Sequence, residues 1–406
     1  MSRHSAPHDA VIVAYRRTPF GRARKGSLAT ERPEDLALAA IRAALSQVPE
    51  LEPTLIDDFY LGTAVPSGAQ GDNVARRIAV RGGWDMLPGA TVNRFCASSV
   101  QAIADAARAI RAGDGDSFLV GGMESTSTTP PISTDLYPGT DRPAARADAI
   151  FESGAAWTDP RDEGLEPDVY IAMGKTAEFV ARRTGTTRAE QDAWALRSQQ
   201  RATAAIEAGY FAREIAPYTR VDGTVVAADD GPRPGTTMQG LAGLNPAFAE
   251  HGTVTAGNAS PLNDGASAAV IMSAARAEQL GITPLARVLG ASASALSPEI
   301  MGLGPVEAAR RLLARLGLTT ADLDLVELNE AFAAQVVPTV RELHLDPERV
   351  NVHGGAIAIG HPFGATGIRL AGTLIRGLQE RDGELGLATL CVGGGQGMAL
   401  VVERIS

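Results

Sequence analysis

The sequence predicts an α/β fold built from two copies of one unit. Short apolar runs alternate with helical stretches, as strands and helices do when they take turns along a chain. Three segments near the start also recur in the same order near the end. Between the copies, the stretch from about 124 to 248 has a character of its own and reads as an insertion.

Taken in order, a short polar tail leads into a strand at Ala10–Tyr15. The first recurring segment is an acidic-capped strand, Asp57 to Gly62, and again Asp322 to Leu328. The second is a strand ending in a sharp turn that opens a helix. It runs from Ala90 to Cys96 with a helix from Ala97 to Ala112, and again from Arg349 to Gly355, through His361, to a helix near 364–378. Val100, Ile103, Ala104, Ala107 and Ile110 share one helical face, and Gly113 is the stop. The third segment is a strand ending in glycines, Ser117 to Gly122 and Leu387 to Gly395. In the insertion, helical patterns occur near 169–184 and 188–208, between a Pro/Thr/Ser-rich loop at 126–139 and a Gly/Pro-rich loop at 229–243. Strand character returns at 253–272 around an Asn-Asp-Gly turn. The domains expected are 1–123 with 249–275, then 124–248, then 276–406.

Composition narrows the function. Two cysteines in 406 residues exclude a disulfide-stapled scaffold, and neither has the neighbours of a structural zinc site. A net charge of −10 with no basic stripe argues against nucleic-acid binding. No run of about 18 apolar residues is present, and the start lacks a secretory h-region, so the cytoplasm is the expected compartment. Only Lys25 and Lys175 are lysines.

Cys96 is the best nucleophile candidate. A helix start lowers a thiol pKa through its free N–H groups and dipole, and the strand-to-helix turn exposes the side chain. A buried, inert cysteine fits that position equally well. His361, in Gly-His-Pro, also precedes a helix and could deprotonate a thiol or face an oxyanion; a lone histidine is more often structural. Cys391 precedes Gly393-Gly394-Gly395, where three glycines suit close approach of a substrate or another backbone.

Together these segments resemble the thiolase family over essentially the full length. The matching stretches are NRFCASS, MGKTAE, SQQRATAAIEAGYFAREIAP, TAGNASPLNDGASA, NEAFAAQ, GGAIAIGHPFGATG and CVGGGQGMA, in family order. The resemblance implies two duplicated βαβαβαββ halves in a five-layered αβαβα core with an inserted loop domain. It implies an acyltransferase in which Cys96 carries the acyl group as a thioester, His361 takes the Cys96 proton, and Cys391 is the second acid/base. It implies one oxyanion hole from His361 with a water held by Asn329, and another from the N–H groups of Cys96 and Gly393. Coenzyme A is the implied substrate, with no prosthetic group and no metal. Met173, Arg233, Phe248, Ala256, Ser260, Ala331 and Phe332 are its implied contacts, and Met301 is a candidate for the acyl pocket. For Arg233, Ser260 and Met301, a solvated loop arginine, a turn serine and core packing are the alternatives. Many relatives carry Asn where this chain has His353, which is read as a supporting or pocket residue. The motifs lean toward degradation of 3-ketoacyl-CoA rather than formation of acetoacetyl-CoA. A 3-ketoacyl synthase and a non-catalytic CoA binder are the remoter readings. Homodimer or homotetramer assembly is also implied.

Overall fold

In a computed structural model of the chain, residues 6–129 and 141–406 are described. The N-terminal five residues and most of the Pro/Thr/Ser-rich loop lie outside them.

The two copies are visible in the order of elements. The first half runs β1 (Ala10–Arg17), α1 (Pro33–Leu45), β2 (Asp58–Gly62), α2 (Val74–Arg81), β3 (Ala90–Val92), α3 (Ser98–Ala112), β4 (Ser117–Ser125). A long excursion holds α4 (Asp141–Ser153), α5 (Met173–Thr184) and α6 (Arg188–Glu207), and β5 (Asn263–Ser273) then closes this half. The second half runs β6 (Ala286–Ala295), α7 (Gly304–Leu316), β7 (Leu325–Leu328), α8 (Ala333–Glu342), α9 (Thr366–Glu380), β8 (Leu385–Val392) and β9 (Gln396–Arg404).

Pairing repeats with the same senses. In the first half β1–β5 and β5–β4 are antiparallel, whereas β4–β2 and β2–β3 are parallel. In the second half β6–β9 and β9–β8 are antiparallel and β8–β7 parallel. The counterpart of β3 shrinks to one parallel bridge, Val326 to Val350. That is all that remains of the strand expected from Arg349 to Gly355. The halves join edge to edge through β1 and β6, at Val11↔Arg287 and Ile12↔Ala286.

Strand alternation sorts the core into layers. Ile12, Phe118, Val120, Ala388 and Leu390 face inward and pack with α3 and α9. Val11, Val13 and Leu119 face outward beneath α1 and α2. Leu387, Ala399 and Val401 face outward beneath α7 and α8. The result is helix, sheet, helix, sheet, helix. The expected face of α3 is buried as predicted, and Gly113 ends it at φ +81°. A capping box, Thr187 with Glu190, starts α6.

Two further elements differ from the sequence reading, beside α4, which it did not contain. The helix expected near 169–184 begins at Met173, because Asp168 accepts from the Tyr170 N–H (2.9 Å) and holds 168–172 as a turn. Asn263-Asp264-Gly265 is not a turn but the start of β5. Its side chains are buried by partners: Asn263 donates to the Gly21 carbonyl (2.9 Å), Asp264 accepts from the Ser127 N–H (2.9 Å), and Phe20 covers Gly265. No helix among the described residues is long and apolar enough to cross a membrane.

The halves meet backbone to backbone. A Cβ on Gly122 would collide with the Gly364 carbonyl, and one on Gly367 with the Val100 N–H. Gly122→Ala should therefore cost about 1–3 kcal/mol or more, by overpacking against main chain. Urea unfolding checks this; a loss below about 0.5 kcal/mol would contradict the close approach.

Candidate active site

Cys96 sits in a short 3-10 turn, Phe95–Ala97, immediately before α3. The Asn93 side chain accepts from the Phe95 N–H (2.8 Å), and Ser98 Oγ accepts from the Arg94 N–H (3.0 Å). These two bonds fold the chain from β3 into the helix. Phe95 takes a left-handed φ of +44° at the corner. Cys96 is partly exposed. The N–H groups of Gly393 and of Cys96 itself donate toward its sulfur. Burial outweighs them, the Glu124 charge adds to burial, and the thiol is pushed up to about 12. The lowering expected from the helix start is thus present as donors but does not win.

His361 is placed by bonds on both sides. Its N–H donates to Asn263 Oδ1 (2.9 Å), and Gly360 at φ +116° makes the turn before it against the Asn263 side chain. The ring Nδ1 meets Thr366 Oγ1 at 2.6 Å, and that hydroxyl donates to the Pro362 carbonyl (2.8 Å). With its proton committed there, Nδ1 is the donor, and Nε2 is left to accept from Asn329 Nδ2 (3.2 Å). Burial, with Arg369 behind it, lowers the imidazole to about 3. The ring is therefore neutral at any physiological pH, with a lone pair facing the site. Cys96 and His361 make no direct hydrogen bond; they stand at the starts of two helices, α3 and α9, whose ends touch through Ser99 and Ile368 (3.1 Å).

Cys391, fully buried near the end of β8, lies among Ala177, Val254, Ala259, Met301, Ala331, Phe332 and Ala334, with Met173 against them. Burial first, then repulsion from Cys96, raises its thiol further than that of Cys96. Met173, Met301, Ala331 and Phe332 thus wall the second thiol. The remaining predicted contacts, Arg233, Phe248, Ala256 and Ser260, line a cavity of about 550 Å³ leading away from it. Ser260 donates its N–H to the Ala331 carbonyl (2.9 Å), and Phe248 meets Phe332 edge to face at 6.2 Å, so the two groups are continuous. His353 lines neither: it stacks on Tyr210 at 3.6 Å and bonds Glu380 (2.6 Å).

Several residues beyond those singled out from sequence complete the site. Arg22, Arg24 and Lys25 line the cavity beside Arg233. Glu330 is buried and accepts from Trp194 (2.9 Å), Asn351 (2.9 Å), Ser198 (2.5 Å) and the Ile357 N–H (3.2 Å), anchoring the loop that carries Asn329. The clue to Glu330 was present in the NEAFAAQ stretch as a charge at the head of an apolar run. The role of Arg22 to Lys25 had no local signal, because it depends on a fold-back of distant chain. Among the described residues no cluster of three or more His, Cys, Asp or Glu could hold a metal ion.

The chain matches the model of the thiolase N-terminal domain over residues 10–275 and that of the thiolase C-terminal domain over 282–404. It is 44% identical over 405 residues to the 3-ketoacyl-CoA thiolase of Cronobacter sakazakii, covering 97% of this chain and 99% of that one. It is also 44% identical over 416 residues to the beta-ketoadipyl-CoA thiolase of Pseudomonas aeruginosa, covering all of both. A crystal structure of human mitochondrial 3-ketoacyl-CoA thiolase in complex with CoA superposes with a TM-score of 0.86 at 38% identity, over 99% of each chain. The duplicated fold and these matches define an acyltransferase. The chain belongs to the thiolase family.

A protonated resting thiol has two measurable consequences. Alkylation of Cys96 by iodoacetamide should keep rising between about pH 7 and 9, and a plateau below pH 8 would contradict it. The folded thiol holds its proton to about 12 while an unfolded one loses it near 9.0, so stability should fall as pH rises through that window. Thermal melts from pH 8 to 11, wild type against Cys96→Ala, check the sign.

Proposed function

We propose that this chain is a degradative 3-ketoacyl-CoA thiolase of fatty acid β-oxidation, cleaving its substrate with free coenzyme A. The observation that carries the reading is the pairing of backbone donors with a neutral base: the N–H groups of Cys96 and Gly393 around one sulfur, and the His361 imidazole held by Asn329 and Thr366. Such donors stabilise oxyanions where they form, and count for more in a dry site.

Cys96 Sγ attacks the 3-keto carbonyl as His361 Nε2 takes its proton. The bond between the α and β carbons breaks, and its electron pair becomes the acetyl-CoA enolate. Cys391 protonates that enolate carbon and is left as thiolate. Coenzyme A then gives its thiol proton to Cys391 and attacks the Cys96 thioester. The departing Cys96 sulfur recovers its proton from His361, and all three groups return to their resting state.

The 550 Å³ cavity suits coenzyme A. Ser260, Ala256 and Phe248 face a pantetheine, with Met173, Ala331 and Phe332 leading on to the thiols. Arg22, Arg24, Lys25 and Arg233 supply positive charge for phosphates. Among the described residues these four side chains make no ion pair, in a chain of net charge −10. Residues 124–248 act as the loop domain that lines about half of this cavity, set on halves 1–123 with 249–275 and 276–406. Assembly is a homodimer or homotetramer in the cytoplasm, read out by light scattering and by localisation.

Thiolysis of 3-ketoacyl-CoAs should vanish in Cys96→Ala while CoA still binds by calorimetry. Normal turnover in that variant would overturn the reading. A panel from acetoacetyl-CoA to long-chain substrates reports kcat/KM; a sharp optimum at acetoacetyl-CoA would favour the biosynthetic reaction instead. Arg24→Ala with Lys25→Ala should raise KM for CoA about 3- to 10-fold, with kcat unchanged and less effect on a phosphate-free pantetheine thiol. An equal effect on both thiols would remove these side chains from phosphate binding.

A further inference from the structure

Gln335, at the start of α8, is fully buried and stands 3.5 Å from Cys391 Sγ. Only one orientation of its amide satisfies both ends. Nε2 then donates to the Asn329 carbonyl oxygen (3.1 Å), and Oε1 accepts from the Val336 N–H (3.1 Å). The reverse puts acceptor on acceptor and donor on donor, which a dry interior penalises. In the satisfied orientation the atom facing Cys391 is Nε2. An amide nitrogen carries two hydrogens, so one serves Asn329 and the second is available to the sulfur.

The duplication supplies independent support. The last parallel rungs of the two halves are Gly62↔Gly122 and Leu328↔Thr389. Two residues on in each strand stand Glu124 and Cys391. The antiparallel ladders agree, since Glu124 faces Gly265 and Cys391 faces Gly397, each one rung from its end. Glu124 and Cys391 thus occupy one position of the repeated unit. Against Glu124 lies a buried glutamine, Gln70, whose Nε2 donates to its carboxylate and to the Val65 carbonyl (2.8 Å). Each half therefore sets a buried glutamine amide against the group at this position.

We propose that Gln335 is a positioning residue that donates an N–H to Cys391, holding the sulfur in place and stabilising its thiolate during proton transfer with the substrate α carbon. Through the Asn329 carbonyl the same amide ties Cys391 to the residue that bonds His361. The proposal rests on the thiolase reading above. Other titratable neighbours are few: Cys96 faces Cys391, and the elements around it bring Ala177, Val254, Ala259, Met301, Ala331 and Phe332, all uncharged.

Gln335→Met keeps the volume and removes the donor; Gln335→Glu keeps the shape and brings a carboxyl. Two steps are read separately: acylation of Cys96 by the thioester of an acidic aryl thiol, whose departing thiolate needs no proton from Cys391, as a burst of acyl-enzyme, and exchange of acetyl-CoA α protons for deuterium. Both variants should acylate within about 2-fold of wild type, exchange about 10- to 100-fold more slowly, and shift the alkaline limb of the exchange profile to higher pH. Exchange within 2-fold with an unmoved limb would overturn the proposal, as would equal losses in both steps. Should either variant fail to fold, the wild-type chain with 15N-labelled glutamine gives the answer: the Gln335 side-chain amide protons should shift when Cys391 is replaced by Ser, and unchanged shifts refute the contact. Absence of acylation in wild type would instead defeat the thiolase reading itself.

Discussion

The site depends on one constraint, the contact of main chain with main chain between the two halves. Gly122 and Gly364, and Gly367 with Val100, come too close for any side chain to intervene. That closeness brings the starts of α3 and α9 together, and with them Cys96 and His361. It also exposes backbone donors that need partners. Glu124 supplies them: it is buried and accepts from the N–H groups of Ala64 (2.8 Å), Val65 (3.3 Å) and Gly364 (2.9 Å), as well as from Gln70. One carboxylate thereby ties β4 of the first half to the His361 turn of the second. Burial raises its pKa while those donors oppose the rise, so its charge is compensated by dipoles and not by a cation.

The same enclosure sets the protonation of the candidate catalytic groups. Burial is the largest effect on Cys96, Cys391 and His361 alike, and in each it favours the neutral form. The resting site therefore holds two thiols and an imidazole base, not a thiolate–imidazolium pair. Charge then appears only as bonds are made and broken. In a dry site, fixed N–H groups act on that developing charge with little screening. Arg369, buried and paired with Glu327 (2.9 Å), lies behind His361 and helps keep it unprotonated.

How much of this the sequence revealed follows from the range of each signal. The α3 face, the Gly113 stop and the Thr187 cap were readable, or lay within local pattern, because each depends on neighbours within a few residues. The duplication was readable in outline because its segments recur in order. The loss of the second β3 to a single bridge at Val350 was not, because nothing in Arg349 to Gly355 says how much pairing a neighbour will offer. Asn263-Asp264-Gly265 looks like a turn by composition. It is a strand because Phe20, Gly21 and Ser127, far away in sequence, bury all three residues. The same limit applies to electrostatics: a helix start near Cys96 is a local fact, whereas the desolvation that outweighs it comes from the whole fold.

Duplication also explains why one fold can hold two unlike sulfurs. Cys96 lies at a helix start, partly exposed and with backbone donors. Cys391 lies at a strand position whose counterpart, Glu124, serves as an internal fastener. A repeated unit supplies the same enclosed pocket twice, each with a glutamine amide nearby. In one half a carboxylate fills it and accepts main-chain hydrogen bonds. In the other, a thiol leaves those bonds unmade, and the glycines from Gly393 to Gly395 leave room beside it. A carboxylate there would carry charge into an apolar wall of Ala331, Phe332 and Met301 with too few donors to hold it. A thiol can stay neutral at rest and take charge only in passing, as a proton exchange at carbon requires.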